Sequence, residues 1–206
     1  PRARLIHTGP ALLGAIRRDG HFAGVHTTWF DLDRPKGKAL IVDPKTGDVL
    51  GTKKMRGSKK GGHIEMTACD EPRTLVLGEG IEKVLAVWTA MHADGRDLST
   101  TGFWSAADLG NIAGKAKEPV AHPTAKTPTG RVKRVPGPSP DLLAPAIDVP
   151  DLVQRLVLLG DSTSDRFSTE CVMARAGTRY MRAGREIVVA WAPDEKDFDD
   201  LLREAA

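Results

Sequence analysis

In RLVLLGDSTSDRF, residues 155–167, an apolar run meets a glycine and then several acidic and hydroxyl side chains. A short apolar run that ends in turn-forming residues is typical of a strand buried on both faces of a sheet. Asp161, Thr163 and Asp165 follow the run at every second position. The stretch therefore predicts a buried strand with polar groups at its carboxyl end.

Three more runs repeat this pattern: TLVLGEG (74–80), TTGFWSA (100–106) and EIVVAWAP (186–193). Each is followed by a segment with helical periodicity or helix-forming composition. The predicted helices cover residues 81–92, 106–112, 165–182 and 197–204. Alternation of strands and helices predicts an α/β fold, with a parallel sheet of about four strands flanked by helices.

The segments outside this alternation predict two further parts. Residues 1–70 have strand-like runs around two turn signals, residues 18–20 and 44–47, and predict a small β-rich subdomain with antiparallel strands. Residues 71–206 then form the second domain. Within it, residues 114–150 are rich in proline and lose all periodicity, which indicates a long, partly extended insertion. This insertion could contact DNA, but a plain surface excursion is the preferred interpretation.

Composition excludes several classes of protein. No run approaches the length of a membrane span, and the N-terminus does not resemble a signal peptide. Cys69 and Cys171 are the two cysteines, which fits a cytoplasmic protein and excludes a zinc site built from cysteines within this chain. Because the sequence begins at Pro1 and not at methionine, we expect a fragment of a longer protein.

A basic block suggests a phosphate-bearing partner. The segment 45–62 has six Lys or Arg residues and one acidic residue, although solvated surface is an equally good interpretation. We interpret it as a flexible hairpin arm that contacts backbone phosphates. The candidate nucleic-acid and nucleotide-binding residues are Lys53, Lys54, Arg56, Lys59 and Lys60.

Two carboxylates are expected to meet although they are distant in the chain. Glu79 follows the first apolar run of the second domain and Asp161 follows the third, so both belong at the carboxyl edge of one parallel sheet. Two carboxylates about 4 Å apart repel by about 4 kcal/mol at an effective dielectric near 20, so a cation must accompany them. Mg²⁺ fits such oxygen ligands. For Asp165, a role as helix N-cap is the alternative.

The motifs LVLGEGIEKVLA, LVLLGDSTSD and VVAWAPDEKDFDDLL, taken in this order, resemble the Toprim domain. The likeness is narrower still to the Toprim part of bacterial and phage primases of mobile elements, of the primase-helicase type, and it includes the segments 9–31 and 53–66. The resemblance implies that Glu79, Asp161 and Asp165 are catalytic and bind Mg²⁺ or Mn²⁺. It also implies that Asp197 is a metal ligand, with Asp200 near the same edge.

The sequence departs from the family at Thr163, where the second aspartate of the motif is expected. Threonine offers one neutral oxygen and no charge, so we expect weaker or altered metal binding unless Asp165 compensates.

The resemblance implies a primase core that makes RNA primers on single-stranded DNA from nucleoside triphosphates in phage or mobile-element replication, with a replicative helicase as a further partner. Two alternatives stay open: a catalytically weakened DNA- or nucleotide-binding module, and a Toprim nuclease. Topoisomerase activity is disfavoured because the single tyrosine, Tyr180, lies within a predicted helix. Trp29, Phe103 and Trp104 could stack on bases, but packing is the preferred interpretation for each.

Overall fold

The structure is a computed structural model that describes residues 4–34, 37–160, 164–193 and 196–204. It has a mixed α/β architecture, in which twelve strands and four helices are described. The first six strands are β1 (Ala11–Arg18), β2 (His21–Trp29), β3 (Ile41–Val42), β4 (Val49–Leu50), β5 (Lys53–Gly57) and β6 (Ile64–Glu65). The others are β7 (Thr74–Gly78), β8 (Thr101–Ser105), β9 (Pro119–Lys126), β10 (Val132–Pro136), β11 (Arg155–Gly160) and β12 (Glu186–Trp191). The helices are α1 (Ile81–Ala93), α2 (Leu109–Ala113), α3 (Arg166–Tyr180) and α4 (Phe198–Glu204).

The main sheet has the strand order β12-β11-β7-β8-β6. The first four strands in that order are parallel, as predicted, and β6 adds an antiparallel strand at the edge. Side chains of β7 alternate between two clusters. Leu75 and Leu77 pack with α2 and α3, whereas Val76 packs with residues of α1 and with Phe198 of α4. Helices therefore cover both faces of the sheet, which explains why its central strands have apolar residues at consecutive positions.

The buried face of α1 differs from the face that the sequence predicts. Ile81 and Val84 are buried as expected, but Lys83 and Ala86 are also buried, whereas His92 is exposed. A lysine therefore lies on the inner side of this helix, close to the carboxyl edge of the sheet.

The N-terminal part is β-rich and antiparallel, as predicted. Strands β1, β2 and β5 form a three-stranded sheet, and β3 pairs with β4. A cluster of Ile16, Ile64 and Ile81 packs this sheet against the start of α1. The basic segment 53–57 is the edge strand of the sheet and not a flexible arm, because β2 provides hydrogen-bonding partners along its length.

The insertion is more ordered than its sequence indicates. Strands β9 and β10 form an antiparallel hairpin, and the returning chain buries Ile147 and Val149 in the core shared with α3. The interpretation of residues 114–150 as a plain surface excursion is therefore wrong. Three arginines hold the insertion and its return in place by donating to backbone carbonyl oxygens: Arg175, Arg179 and Arg185.

Among the described residues, no helix combines the length and the apolar character needed to cross a bilayer.

Candidate functional site

The carboxyl edge of the main sheet positions Glu79. Strand β7 ends at Gly78, where an added Cβ would come within 2.8 Å of the Val84 side chain, so α1 passes very close to this residue. The next strand, β8, ends at the fully buried Ser105, whose hydroxyl donates to the backbone carbonyl of Glu79 at 3.1 Å. The backbone around Glu79 is thus fixed by its neighbours on both sides.

Glu79 lies in a pocket of about 270 Å³ that also contains Asp197 from the segment before α4. The pocket is formed by the end of β7, the first turn of α1, β2, β5 and the C-terminal segment. Two predicted site residues, 118 positions apart (197 − 79), are therefore brought into one concave site. Its other ionisable lining residues are His26, Lys38, Lys53, Glu82, Lys83, Asp199 and Arg203.

The described charges of this pocket balance. Four carboxylates and four cationic side chains line it, so its formal charge is zero with His26 neutral. Lys83 is 4 % exposed, and its ammonium lies 3.9 Å from Asp197 Oδ1. Lys53 pairs with Glu82 at 2.8 Å, and Arg203 pairs with Asp199 at 2.7 Å. The cations therefore offset much of the repulsion that the carboxylates would otherwise feel.

Two groups in the pocket have shifted pKa values. Burial and the nearby Lys53 ammonium lower the pKa of His26, which favours the neutral imidazole. Burial opposes ionisation of Glu82, but the hydrogen bond from Lys53 and further interactions outweigh it and lower the pKa of Glu82 overall. The pocket therefore keeps Glu82 ionised and His26 uncharged at neutral pH.

Asp197 is held by local hydrogen bonds at the start of α4. Its Oδ1 accepts from the backbone N–H of Phe198 at 2.6 Å, and its own N–H donates to Asp200 Oδ2 at 3.2 Å. Asp200 thus lies next to Asp197, as the sequence resemblance implied, but it is not one of the residues that line the pocket.

Asp165, for which the sequence left metal binding and helix capping open, is at the start of α3, and its role as a metal ligand stays a prediction. It caps α3, where Oδ2 accepts from the N–H of Ser168 and Oδ1 lies 2.9 Å from His122 Nε2. The hydrogen bonds from Ser168 and His122 lower the pKa of Asp165 to about 2. Asp165 does not line the pocket of Glu79 and Asp197. The geometry is that of the helix N-cap that the sequence left open as the alternative.

His122 comes from β9 of the insertion and is buried. Its Nδ1 accepts the backbone N–H groups of Thr124 and Ala125, at 3.2 and 2.8 Å, which leaves the proton on Nε2 to be donated to Asp165. The ring also makes an edge contact with Phe167, at a centroid distance of 5.1 Å. The insertion is thus joined to the first turn of α3, just after the segment 161–163.

Asp161 and Thr163 lie outside the described residues. Strand β11 ends at Gly160 and runs parallel to its neighbour β7, which ends at Gly78. The expected meeting of Glu79 with Asp161, and the consequence of threonine at position 163, stay predictions.

The five predicted basic residues are divided among three places. Lys53 lines the pocket of Glu79, whereas Lys59 and Lys60 line a second cavity beside the insertion. Lys54 and Arg56 are exposed on β5, and strand alternation directs them to the opposite face from Lys53. They do not form one continuous basic surface.

Two of the three aromatic residues considered for base stacking are buried. Phe103 is fully buried and Trp104 is 7 % exposed, so packing describes both. His63 stacks on Trp104 with ring centroids 3.6 Å apart, and Trp29 makes an edge contact with His7.

Lys83, His26 and Ser105 were not among the candidate residues from the sequence. Lys83 was the detectable one, because a lysine within a helix expected to be mostly buried needs a partner for its charge. The two others come from strands whose relative placement is set by tertiary packing.

Over the described ranges, with residues 161–163 outside them, no group of three or more His, Cys, Asp or Glu side chains is arranged to hold a metal ion. Glu79 and Asp197 supply oxygen ligands, which are the type that Mg²⁺ and Mn²⁺ prefer.

Comparison with known proteins gives a likeness of fold only. No protein-family model and no curated protein sequence matches the chain.

Three similar solved structures are primase domains. The structure of the DnaG catalytic core is 16 % identical with a TM-score of 0.46, over 94 % of this chain and 48 % of that one. A DNA primase domain from Pseudomonas aeruginosa is 13 % identical with a TM-score of 0.44, over 94 % and 47 %. The DnaG primase catalytic domain bound to single-stranded DNA is 18 % identical with a TM-score of 0.44, over 94 % and 48 %. The chain spans about half the length of these proteins.

Proposed function

We propose that this chain is a metal-dependent primase core that joins ribonucleotides on a single-stranded DNA template. The observation that carries the proposal is the placement of Glu79 and Asp197 in one pocket at the carboxyl edge of a parallel sheet. Ligands of open α/β sheets collect at this edge. The resemblance of the sequence to Toprim primases supplies the reaction class.

The donor set suits a divalent ion. Glu79 and Asp197 would hold Mg²⁺ or Mn²⁺, with Asp161 as the third expected ligand. When bound, the ion neutralises charge on the phosphates during transfer of the nucleotidyl group. Because the described pocket is formally neutral, metal binding gives it a net positive charge that matches an anionic triphosphate.

The cationic side chains have separate parts in this proposal. Lys83 sits next to Asp197 inside the site and orients that carboxylate. Lys53, at the end of the pocket formed by β5, contacts the triphosphate once it exchanges its partner Glu82 for a phosphate oxygen. Each extension step would then join the 3′ oxygen of the primer to the α-phosphorus of the triphosphate and break the bond from that phosphorus to the oxygen that bridges to the β-phosphorus. Pyrophosphate leaves, and the proton of the 3′ hydroxyl passes to solvent.

The test is primer synthesis from labelled ribonucleoside triphosphates on a single-stranded template, with Mg²⁺ or Mn²⁺. Glu79→Gln and Asp197→Asn should each lower the rate by about 100-fold or more, since a metal contributes several kcal/mol to charge stabilisation. Glu186→Gln is the matched control, because Glu186 is an exposed carboxylate at the start of β12, on the opposite edge of the sheet. Equal rates for Glu79→Gln and Glu186→Gln would overturn the proposal.

The second candidate function is a catalytically weakened module that binds DNA or nucleotides. Two features favour it: the balanced charge of the pocket and the threonine at position 163. A pocket whose carboxylates are already offset by Lys53, Lys83 and Arg203 attracts a divalent ion less strongly. This candidate predicts that the wild-type protein binds template but makes no primer with either metal. Shortened template in the same reactions would instead indicate a nuclease.

The proposal also includes a biological setting for the reaction. The sequence resemblance suggests replication of a phage or mobile element, in the cytoplasm, with a helicase as partner. Topoisomerase activity stays disfavoured because the Tyr180 hydroxyl is buried and donates to the backbone carbonyl of Ile112 at 2.7 Å.

A further inference from the structure

A second cavity lies beside the insertion and shares no lining residue with the pocket of Glu79. It has a volume of about 580 Å³, within the range of small-molecule sites. The turn after β5, the helix α2, the start of the insertion and the strand β10 form its walls.

Positive charge dominates this cavity. Six cationic side chains and two carboxylates, Asp108 and Glu118, line it. The cations are Lys59, Lys60, Lys115, Lys117, Arg134 and Arg175. Lys59 pairs with Asp108, and Lys115 pairs with Asp141 from outside the lining. No hydrogen bond or ion pair within the described part of the chain engages the ammonium groups of Lys60 and Lys117.

Arg175 adds a buried positive charge to the wall. Arg175 is 1 % exposed, and its guanidinium donates to the backbone carbonyl oxygens of Gly114, Pro136 and Gly137. None of the described carboxylates pairs with it. Burial lowers the pKa of Arg175, which shows the cost of placing this charge away from water. A buried charge of this kind is stabilised when an anion approaches it.

Apolar surface completes the cavity. Val135 is 5 % exposed, and Pro119, Pro136 and Pro145 lie beside it in the lining. An apolar wall next to several cations matches a ligand with a flat or weakly polar part joined to an anionic group. A nucleotide has this composition, with its base and sugar on one side and its phosphate on the other.

We propose that this cavity binds a nucleotide, with the phosphate at Lys60, Lys117 and Arg134 and the base against Val135 and the neighbouring prolines. The nucleotide is either a unit of a single strand or a free nucleoside triphosphate, and both present the same chemistry to these residues. The inference extends the nucleic-acid side of the proposed function. It does not involve the carboxylate pocket or a metal ion.

The test measures binding by the full chain in EDTA, so that metal-dependent chemistry plays no part. The probes are a fluorescein-labelled oligothymidylate, followed by anisotropy, and ATP, followed by calorimetry. The double variant Lys60→Ala/Lys117→Ala removes two charges from the cavity. The control Lys45→Ala/Lys133→Ala removes two exposed lysines that do not line it, one of them next to Arg134 on β10.

The wild type and the control should bind at least one probe with equal affinity, and the cavity variant should bind it more weakly. For the oligonucleotide, the plot of log affinity against log salt should become shallower by about 1.4, which is about 0.7 for each lost phosphate contact. Loss of oligonucleotide binding in the cavity variant assigns the site to a strand, and loss of ATP binding assigns it to a free nucleotide. Equal binding by the cavity variant and the control overturns the inference, as does a wild type that binds neither probe. Because the assay contains EDTA and measures binding alone, a negative result for primer synthesis leaves the inference standing.

Discussion

Replacing Asn111 by alanine should destabilise the protein strongly, because this buried side chain joins the turn after β5 to the start of α2. Its Oδ1 accepts from the N–H of Gly61 at 2.9 Å. Its Nδ2 donates to the carbonyl oxygens of Lys59, Gly62 and Ala106, at 2.9, 2.8 and 2.9 Å. The turn that carries Lys59 and Lys60 is thus tied to the start of α2 by one residue.

The magnitude follows from the groups that lose their partner. The amide supplies two N–H donors, shared among three carbonyl oxygens, and one acceptor, which amounts to three full hydrogen bonds. A net contribution of about 1 kcal/mol for each gives a loss of about 3 kcal/mol in the free energy of unfolding. For a chain of this size each kcal/mol corresponds to roughly 2–4 °C in Tm, so a decrease of about 6–12 °C is expected.

Urea denaturation followed by circular dichroism measures this loss, with Gln154→Ala as the control. Gln154 carries the same functional group but is exposed, so its replacement should change stability by less than about 0.5 kcal/mol. If Asn111→Ala costs no more than Gln154→Ala, the amide does not make the buried contacts described here, and the packing of the turn against α2 would have to be revised.

Four further perturbations test other parts of the structure. Asp165→Asn should lower stability at neutral pH, and its difference from the wild type should shrink as pH falls from 3.8 towards about 2, because the folded-state pKa of Asp165 is depressed. His122→Ala should raise the pKa of Asp165 in an NMR titration, since it removes one of the hydrogen bonds that lower it. The depressed pKa of His26 predicts that stability falls as pH drops below 6.5, where the unfolded chain takes up the proton first; the slope of stability against pH should be smaller in His26→Gln. Gly57→Ala should cost about 2 kcal/mol in urea denaturation, because φ is 82° and the new Cβ would lie 2.4 Å from a carbonyl oxygen of β2. Gly95→Ala, at φ 70° with nothing within 4 Å, should cost less, and equal costs would argue against the close approach of β2 and β5.

The main sheet could be predicted because the amino-acid composition of each strand reflects its burial. Each of the runs that became β7, β8, β11 and β12 is apolar at consecutive positions, as burial on two faces requires. The helices between them follow from periodicity and from short connections. Local sequence and general rules of topology were sufficient here.

The hairpin of the insertion could not be predicted in this way. Most residues of β9 and β10 are exposed, so no alternation marks them as strands, and proline opens β9 and ends β10. What holds the hairpin is Arg175, which lies 38 residues beyond Gly137, to whose carbonyl oxygen it donates. Such a contact depends on tertiary packing and leaves no local pattern.

In the candidate site, too, some features follow from the local sequence and others depend on tertiary packing. The position of Glu79 at the edge of the sheet could be predicted because it directly follows a buried strand, and Asp197 was expected near that edge because of the motif around it. The contact of Asp165 with His122, 43 residues away, could not be predicted, because the sequence does not reveal which residue of the insertion reaches the start of α3. The burial of Lys83 depended on the rotation of α1 against the sheet.

Binding of Mn²⁺ to the free protein, followed by calorimetry, tests most directly whether Glu79 and Asp197 form a metal site. We predict that the wild type and Glu186→Gln bind the ion with the same affinity, and that Glu79→Gln and Asp197→Asn each weaken binding at least about tenfold, as loss of a charged ligand requires. Thr163→Asp should strengthen binding if residue 163 faces the same ion. Wild-type affinity in both Glu79→Gln and Asp197→Asn, or no binding by any of the proteins, would contradict the account.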